Sequence, residues 1–271
     1  MTANSGSERF QSGSEKYAAY LQTPAGRLRL DLAFANLQEF LPHATRSLRA
    51  LDIGCGTGAM AVRLAQLGLH VTSLDSSLPM LDYVARAARE AEVTERITLQ
   101  HSDSTQVDVL FPARSFDVVL CHNILEYVDD PGALFRSAER ALRDSSAILS
   151  VTARNRAGDV LKAAIHDGDL AAAEESLDAE WGRESLYGGK VRLFTAACLK
   201  SILKSASLAV TAERGVRVLS DYLPPQVSGD AEYERIFTLE RKLGRRPEFA
   251  AVARYSHFLA RSAGPAVEDA G

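Results

Sequence analysis

The sequence predicts an α/β fold, a parallel sheet covered by helices, on three observations. Strand-length apolar runs alternate with stretches of helical periodicity through most of the chain. The first run ends in a glycine-rich turn, Leu51-Asp-Ile-Gly-Cys-Gly-Thr-Gly58, that passes straight into a helical pattern. The second run ends in a single acid, Asp75. Strand–helix–strand units of these lengths close as right-handed crossovers, which makes neighbouring strands parallel.

The first 24 residues read as a loose segment, polar and rich in Ser, Gly and Glu up to Ser14. An amphipathic helix follows over 25–41, with Leu28, Leu32, Ala35 and Leu37 among its apolar positions. The first strand covers about 49–53, the helix after the glycine turn 57–67, and the second strand 69–74. Ser77 caps a helix over 78–91, with Pro79 tolerated in its first turn. A third strand lies at 97–100 and a fourth at 116–120; Asp130 then caps a helix over 131–142 before a fifth strand at 147–152. The segment 155–190 breaks the alternation. Its short helical pieces, rich in Ala, Asp and Glu, run to the Gly188-Gly189 break and read as an insertion over the site. A helix at 195–205, a strand at 210–219, a helix at 231–243 and a strand at 251–260 complete one domain, 25–261, before a loose tail, 262–271.

The 271 residues are 46% apolar, enough to bury a sizeable core. Net charge is −4, but 14 Lys/Arg against 8 Asp/Glu between Arg183 and Arg261 give that third +6, a candidate anion-facing region. Cys55, Cys121 and Cys198 are odd in number and far apart, with neither metal nor disulfide spacing, which fits a reducing cytoplasm. No apolar run approaches the ~20 residues of a membrane span, and no metal is expected.

The motifs point to a nucleoside site. Gly54, Gly56 and Gly58 let the backbone turn tightly and approach a ligand, with Cys55 and Thr57 in the same loop. The following helix aims its N-terminus at that ligand. Asp75 is placed to accept hydrogen bonds from ribose hydroxyls, with Ser76 and Met80 beside it. Asp103 and Ser104 follow the third strand, where an acid and the next N–H suit adenine. The Gly-x-Gly-x-Gly spacing, preceded by Asp52, suits an ammonium better than a pyrophosphate. Asp52 would orient that end, and His122, after the fourth strand, sits at the crevice mouth. Ribose, adenine and an ammonium without phosphate describe S-adenosylmethionine. His122 is near its methionine and methyl end, placed to contact the cofactor without acid–base work. The glycine spacing disfavours a nicotinamide dehydrogenase.

Leu51-Asp-Ile-Gly-Cys-Gly-Thr-Gly58 resembles the first motif of class I methyltransferases. Phe116 to Pro131, Gly215-Val-Arg-Val-Leu-Ser-Asp-Tyr-Leu223, and Ala253-Arg-Tyr-Ser-His257 resemble the bacterial tRNA 5-carboxymethoxyuridine methyltransferase group. That resemblance implies a Rossmann-like seven-stranded sheet whose last strand is antiparallel and lies between the fifth and sixth. It also implies S-adenosylmethionine as cofactor, S-adenosylhomocysteine as product, and a tRNA wobble carboxylate as acceptor. Arg29, in Gly26-Arg-Leu-Arg29, matches the group's contact to the cofactor carboxylate. A carboxylate is ionised at neutral pH and needs no general base, but it needs a cation to hold it. Arg217 is the first candidate and Arg154 the second; Tyr222 is placed to line the pocket or stack on a base. A small-molecule carboxylate or hydroxyl acceptor, favoured by the acidic insertion, and a non-catalytic cofactor-binding partner are the alternatives.

Overall fold

The computed structural model describes residues 6–183, 189–224, 227 and 230–263, with side chains from 13 onward except at 230. The Gly188 half of the predicted glycine break and most of the predicted tail lie outside the described residues. Seven strands form one sheet: β1 (Arg49–Ile53), β2 (His70–Asp75), β3 (Ile97–His101), β4 (Val118–His122), β5 (Ile148–Arg154), β8 (Leu208–Val216) and β9 (Tyr255–Ser262). Their order is β3-β2-β1-β4-β5-β9-β8, with β9 antiparallel to both neighbours and the other pairings parallel. This is the Rossmann-like order with the last strand inserted. The central strands β1, β4 and β5 are buried at all but their end positions, so both their faces are covered, and they are mostly apolar.

Helices begin where the sequence offers caps. The Ser77 hydroxyl accepts from Met80 N–H at 3.4 Å and opens α4 (Leu78–Glu90); Asp130 accepts from Ala133 N–H at 2.9 Å and opens α6 (Pro131–Ala141). Thr195 does the same for α9 (Ala196–Ser205), accepting from Cys198 N–H at 3.1 Å. The helix after the glycine turn, α3 (Ala59–Gln66), starts two residues later than predicted because Gly58 is its left-handed N-cap.

Two expectations are corrected. The N-terminal segment is helical over α1 (Gly6–Gln22), which packs on α2 (Pro24–Gln38). Its polar composition hides Tyr17 and Leu21, one turn apart on the face turned to the protein. The tight α1–α2 corner explains Gly26, where a Cβ would lie 2.1 Å from the Tyr20 carbonyl oxygen. The 155–190 insertion has the predicted helical pieces, α7 (Arg156–Leu161) and α8 (Leu170–Ser176), joined through a π turn. It also carries an unpredicted hairpin, β6 (Trp181–Arg183) with β7 (Lys190–Arg192). None of its described residues lines the crevice at the sheet's C-terminal edge.

The end of β8 is held by one buried carboxylate. Glu240, on α10 (Tyr233–Gly244), is fully buried and accepts from the N–H groups of Val218 at 2.6 Å, Leu219 at 3.0 Å and Ser220 at 2.8 Å. These residues follow Arg217, which takes a left-handed φ of 60°. Losing the carboxylate strands three donors at about 1–3 kcal/mol each. Glu240→Ala is therefore expected to destabilise the protein by at least about 3 kcal/mol in urea unfolding, and Glu240→Gln by less; a loss under about 1 kcal/mol would show that the clamp is dispensable.

Candidate active site

The glycine turn is built by backbone geometry first. Gly54, Gly56 and Gly58 have φ of 70°, 53° and 78°, a region that side chains disfavour. Both Gly54 N–H and Cys55 N–H donate to the Leu74 carbonyl, at 2.8 and 3.0 Å, so the turn is fastened to the end of β2. A Cβ on Gly54 would lie 2.6 Å from Ile124, and one on Gly58 2.8 Å from Val84. The turn leaves no room for side chains below it, and the ring of Tyr17 lies above Gly56.

Asp75 completes the turn. Its Oδ2 accepts from Gly56 N–H at 2.9 Å and its Oδ1 from Ser77 N–H at 2.9 Å. Each oxygen keeps a second acceptor direction for a ligand hydroxyl. Burial raises the Asp75 carboxyl, and the backbone donors oppose that rise. The Ser76 carbonyl accepts from His101 Nε2 at 3.1 Å, and Met80 is buried one turn into α4. Asp103 turns back to cap its own loop, accepting from Thr105 N–H at 2.8 Å, with Ser104 next in that turn.

The crevice beside the turn is lined by Arg29, Asp52, Gly54, Cys55, Thr57 and His122 among others. Arg29 is buried, its guanidinium donating to the Tyr17 hydroxyl at 2.9 Å. The rings of Tyr17, Tyr20 and Tyr255 surround it at 5.6, 5.1 and 5.5 Å. Asp52 is 3% exposed; burial, then the charge of Asp75, push its carboxyl up to about 7. A cation and an acid in one cleft, next to a turn that ends at Asp75, suit a ligand with a zwitterionic end and a ribose. Met60, Asn123, Thr152, Tyr17 and Tyr255 also line it and were not predicted as site residues. The signal for Tyr17 was its spacing from Leu21; Tyr255 was visible only within the C-terminal motif.

His122 has an unusual setting. Its Nε2 is 2.8 Å from the Ser150 hydroxyl, which is 2.8 Å from Nε2 of the fully buried His257. Burial, then Arg29, pull His122 down to about 3; burial, then His122 and Arg214, pull His257 well below the ordinary histidine range. Both rings are neutral at physiological pH.

The three predicted acceptor-side residues lie outside the crevice lining, Arg154 and Arg217 in a buried ionic chain and Tyr222 beside it. Arg154 binds both oxygens of Asp159 at 2.9 Å, and Asp159 also binds Arg254. Arg254 Nε lies 3.2 Å from Asp221, which pairs with Arg217 through Nε at 2.9 Å. Arg217 also donates to the Tyr20 hydroxyl at 2.8 Å, so its guanidinium is held by protein groups and does not project freely into the cleft. Tyr222 lies beside this chain, its buried hydroxyl without a hydrogen-bond partner among the described residues. Three arginines against two aspartates leave one excess positive charge. Tyr255 feels it: burial raises its phenol, but Arg29, Arg217, Arg254 and Arg154 together bring it below the usual value.

Among the described residues no His/Cys/Asp/Glu group is arranged to hold a metal, and no helix is long and apolar enough to cross a membrane.

Two measurements test the crevice. Asp75→Ala is expected to weaken S-adenosylmethionine at least about 100-fold in calorimetry, because two charge-assisted hydrogen bonds are lost; unchanged affinity would remove Asp75 from the ribose. Asp52 sets a pH dependence. A carboxyl raised when folded stabilises the unliganded protein below its unfolded value and loses that contribution as pH rises through about 7. A cationic ligand prefers the ionised form, so affinity should climb from about pH 6 to about pH 7.5 and stay flat in Asp52→Asn; parallel curves would show that Asp52 does not titrate in this range.

Comparison with known proteins agrees with this geometry. A methyltransferase domain family model matches residues 25–213. The tRNA 5-carboxymethoxyuridine methyltransferase of Escherichia coli (strain K12) is 26% identical over 261 residues, covering 93% of this chain and 95% of that protein. A ubiquinone biosynthesis O-methyltransferase of Xanthomonas oryzae pv. oryzae is 32% identical over 126 residues, 46% of this chain and 48% of that one. Among solved structures, an S-adenosylmethionine-dependent methyltransferase of Thermotoga maritima, described as a possible histamine N-methyltransferase, superposes with a TM-score of 0.62 at 16% identity, over 94% of this chain and 99% of its own. The chain belongs to the methyltransferase domain family and is an S-adenosylmethionine-dependent methyltransferase.

Proposed function

We propose that this enzyme methylates a carboxylate oxygen, that of 5-carboxymethoxyuridine at the tRNA wobble position. One observation carries the reading. The similarity to the Escherichia coli enzyme runs almost end to end, past residue 213, where the family model stops. The ubiquinone-pathway relative matches less than half of the chain.

The cleft chemistry supports a carboxylate. Bound S-adenosylmethionine supplies an electrophilic methyl on a sulfonium. Arg29 holds its carboxylate, Asp52 its ammonium and Asp75 its ribose hydroxyls, with the glycine turn letting the backbone come close. Ser76 and Met80 flank the ribose side, and Asp103 and Ser104 serve the adenine. The remaining polar lining groups, Tyr17, Asn123, Thr152 and Tyr255, offer hydrogen bonds, and the imidazole that faces the cleft is too weakly basic to take a proton from a hydroxyl. A carboxylate has no proton to remove. Opposite charges cancel as the ester forms, so a poorly solvated cleft favours the transition state over the separated ions. The excess charge of the Arg154–Asp159–Arg254–Asp221–Arg217 chain attracts the acceptor from one layer back. A guanidinium gripping the carboxylate directly would hold the ionised substrate more tightly than the charge-cancelling transition state. Tyr222 stands beside that chain as a base-stacking candidate. The product leaves as S-adenosylhomocysteine and a neutral ester. The reading places the enzyme with tRNA, in the cytoplasm.

With labelled S-adenosylmethionine, tRNA carrying 5-carboxymethoxyuridine is expected to accept a methyl group that mild base removes. The same tRNA lacking the modification should accept none. Binding should weaken steeply with salt as phosphate counterions are released. No transfer to the modified tRNA, with cofactor binding intact, would overturn the reading.

A further inference from the structure

The Asn36–His257–Ser150–His122 chain joins three sheet strands and α2 and ends at the crevice wall. Its protons are tightly constrained. Ser150 has one hydroxyl proton and two imidazole nitrogens, each at 2.8 Å. It donates to one ring and must accept from the other. With both rings neutral, the two histidines therefore hold opposite tautomers. Asn36 sets the direction. Its amide Nδ2 faces His257 Nδ1 at 3.4 Å, so Nδ1 accepts and the His257 proton sits on Nε2. His257 then donates to Ser150, and Ser150 donates to Nε2 of His122. The His122 proton is left on Nδ1. Among the described residues no other hydrogen bond engages that ring, and His122 lines the crevice.

We propose that Asn36, His257 and Ser150 are positioning residues that fix His122 as a neutral hydrogen-bond donor toward the methyl acceptor. That the acceptor is a carboxylate rests on the function proposed above. A neutral N–H orients a carboxylate oxygen without the strong ground-state stabilisation a cation would bring. The same tautomer cannot act as a base through Nδ1, so the chain selects against acceptors that must lose a proton. The surroundings reinforce this: Arg29 faces His122 and Arg214 faces His257, both opposing a second proton, while Asp52 lines the same crevice.

Long-range ¹H–¹⁵N spectra of the full chain, labelled at histidine and assigned with His122→Gln, read the tautomers without any acceptor present. His122 protonated on Nδ1 and His257 on Nε2 is the expected result. A proton on Nε2 of His122 overturns the proposal. Ser150→Ala should let the His122 signals average between tautomers and lower kcat about tenfold or more at unchanged cofactor KM, with Ser150→Thr restoring both. An unchanged His122 tautomer in Ser150→Ala also overturns it. Failure of carboxymethoxyuridine tRNA to accept a methyl group would remove the substrate assignment and leave the tautomer result standing, so the two failures are distinguishable.

Discussion

The left-handed glycine turn after β1 is the constraint on which the site depends. Three residues with positive φ reverse the chain within a few ångströms of the sheet edge, and only glycine does that without strain. The turn is fastened from one side by the Leu74 carbonyl and from another by the Asp75 carboxylate through Gly56 N–H. Loop shape and the strand-tip acid are thus one hydrogen-bonded unit. A change in the turn moves Asp75, and a change at Asp75 loosens the turn. Ile124 and Val84 pack where Cβ atoms would be, so the loop next to β4 and the helix after β2 also set its position.

Around that turn the protein keeps charge under close control. Arg29 sits in a ring of three tyrosines, Asp52 is buried with a carboxyl that ionises only near neutrality, and His122 is held uncharged. Buried charges are costly unless paired. Beyond the crevice, the chain of three arginines and two aspartates meets that cost by pairing. Across the sheet edge Arg29 and Asp52 line the cleft without an ion pair to each other, Arg29 held by the Tyr17 hydroxyl and the tyrosine rings. Pairing on one side and an open cation and acid on the other separate scaffold from binding site.

The sheet and the cofactor half were legible in the sequence because their signals are local. A glycine at a positive φ, a cap before a helix and an acid at a strand tip are each decided by a few neighbouring residues. Asp75, Arg29 and His122 stood out that way or through motif resemblance, and the structure places Arg29 and His122 in the crevice lining and Asp75 under the turn beside it. Tyr17 was missed because α1 is polar at its start and its apolar positions are few. Arg217 was assigned to the acceptor because its partners, Asp221 and Tyr20, are set by tertiary packing. Only Asp221 is near in sequence, and nothing in a linear pattern says whether an arginine four residues before an aspartate is paired to it.

The sheet continues past residue 213, where the family model stops. The inserted strand β9 lies between β5 and β8, and its inner positions serve both sides of the enzyme. Tyr255 reaches the Arg29 cage, His257 reaches Ser150, and Arg254, just before the strand, bridges Asp159 to Asp221. Arg154 and Ser150 come from β5, His122 from β4 and Asn36 from α2. The antiparallel strand therefore ties the arginine cage to the histidine chain through Tyr255 and His257, spaced two apart on one pleat. A one-residue slip in its register would turn Tyr255 and His257 to the opposite face and break the arginine cage and the histidine chain together. The length of the β5–β9 ladder, six paired positions from Leu149 with Ala260 to Arg154 with Tyr255, is what prevents that slip.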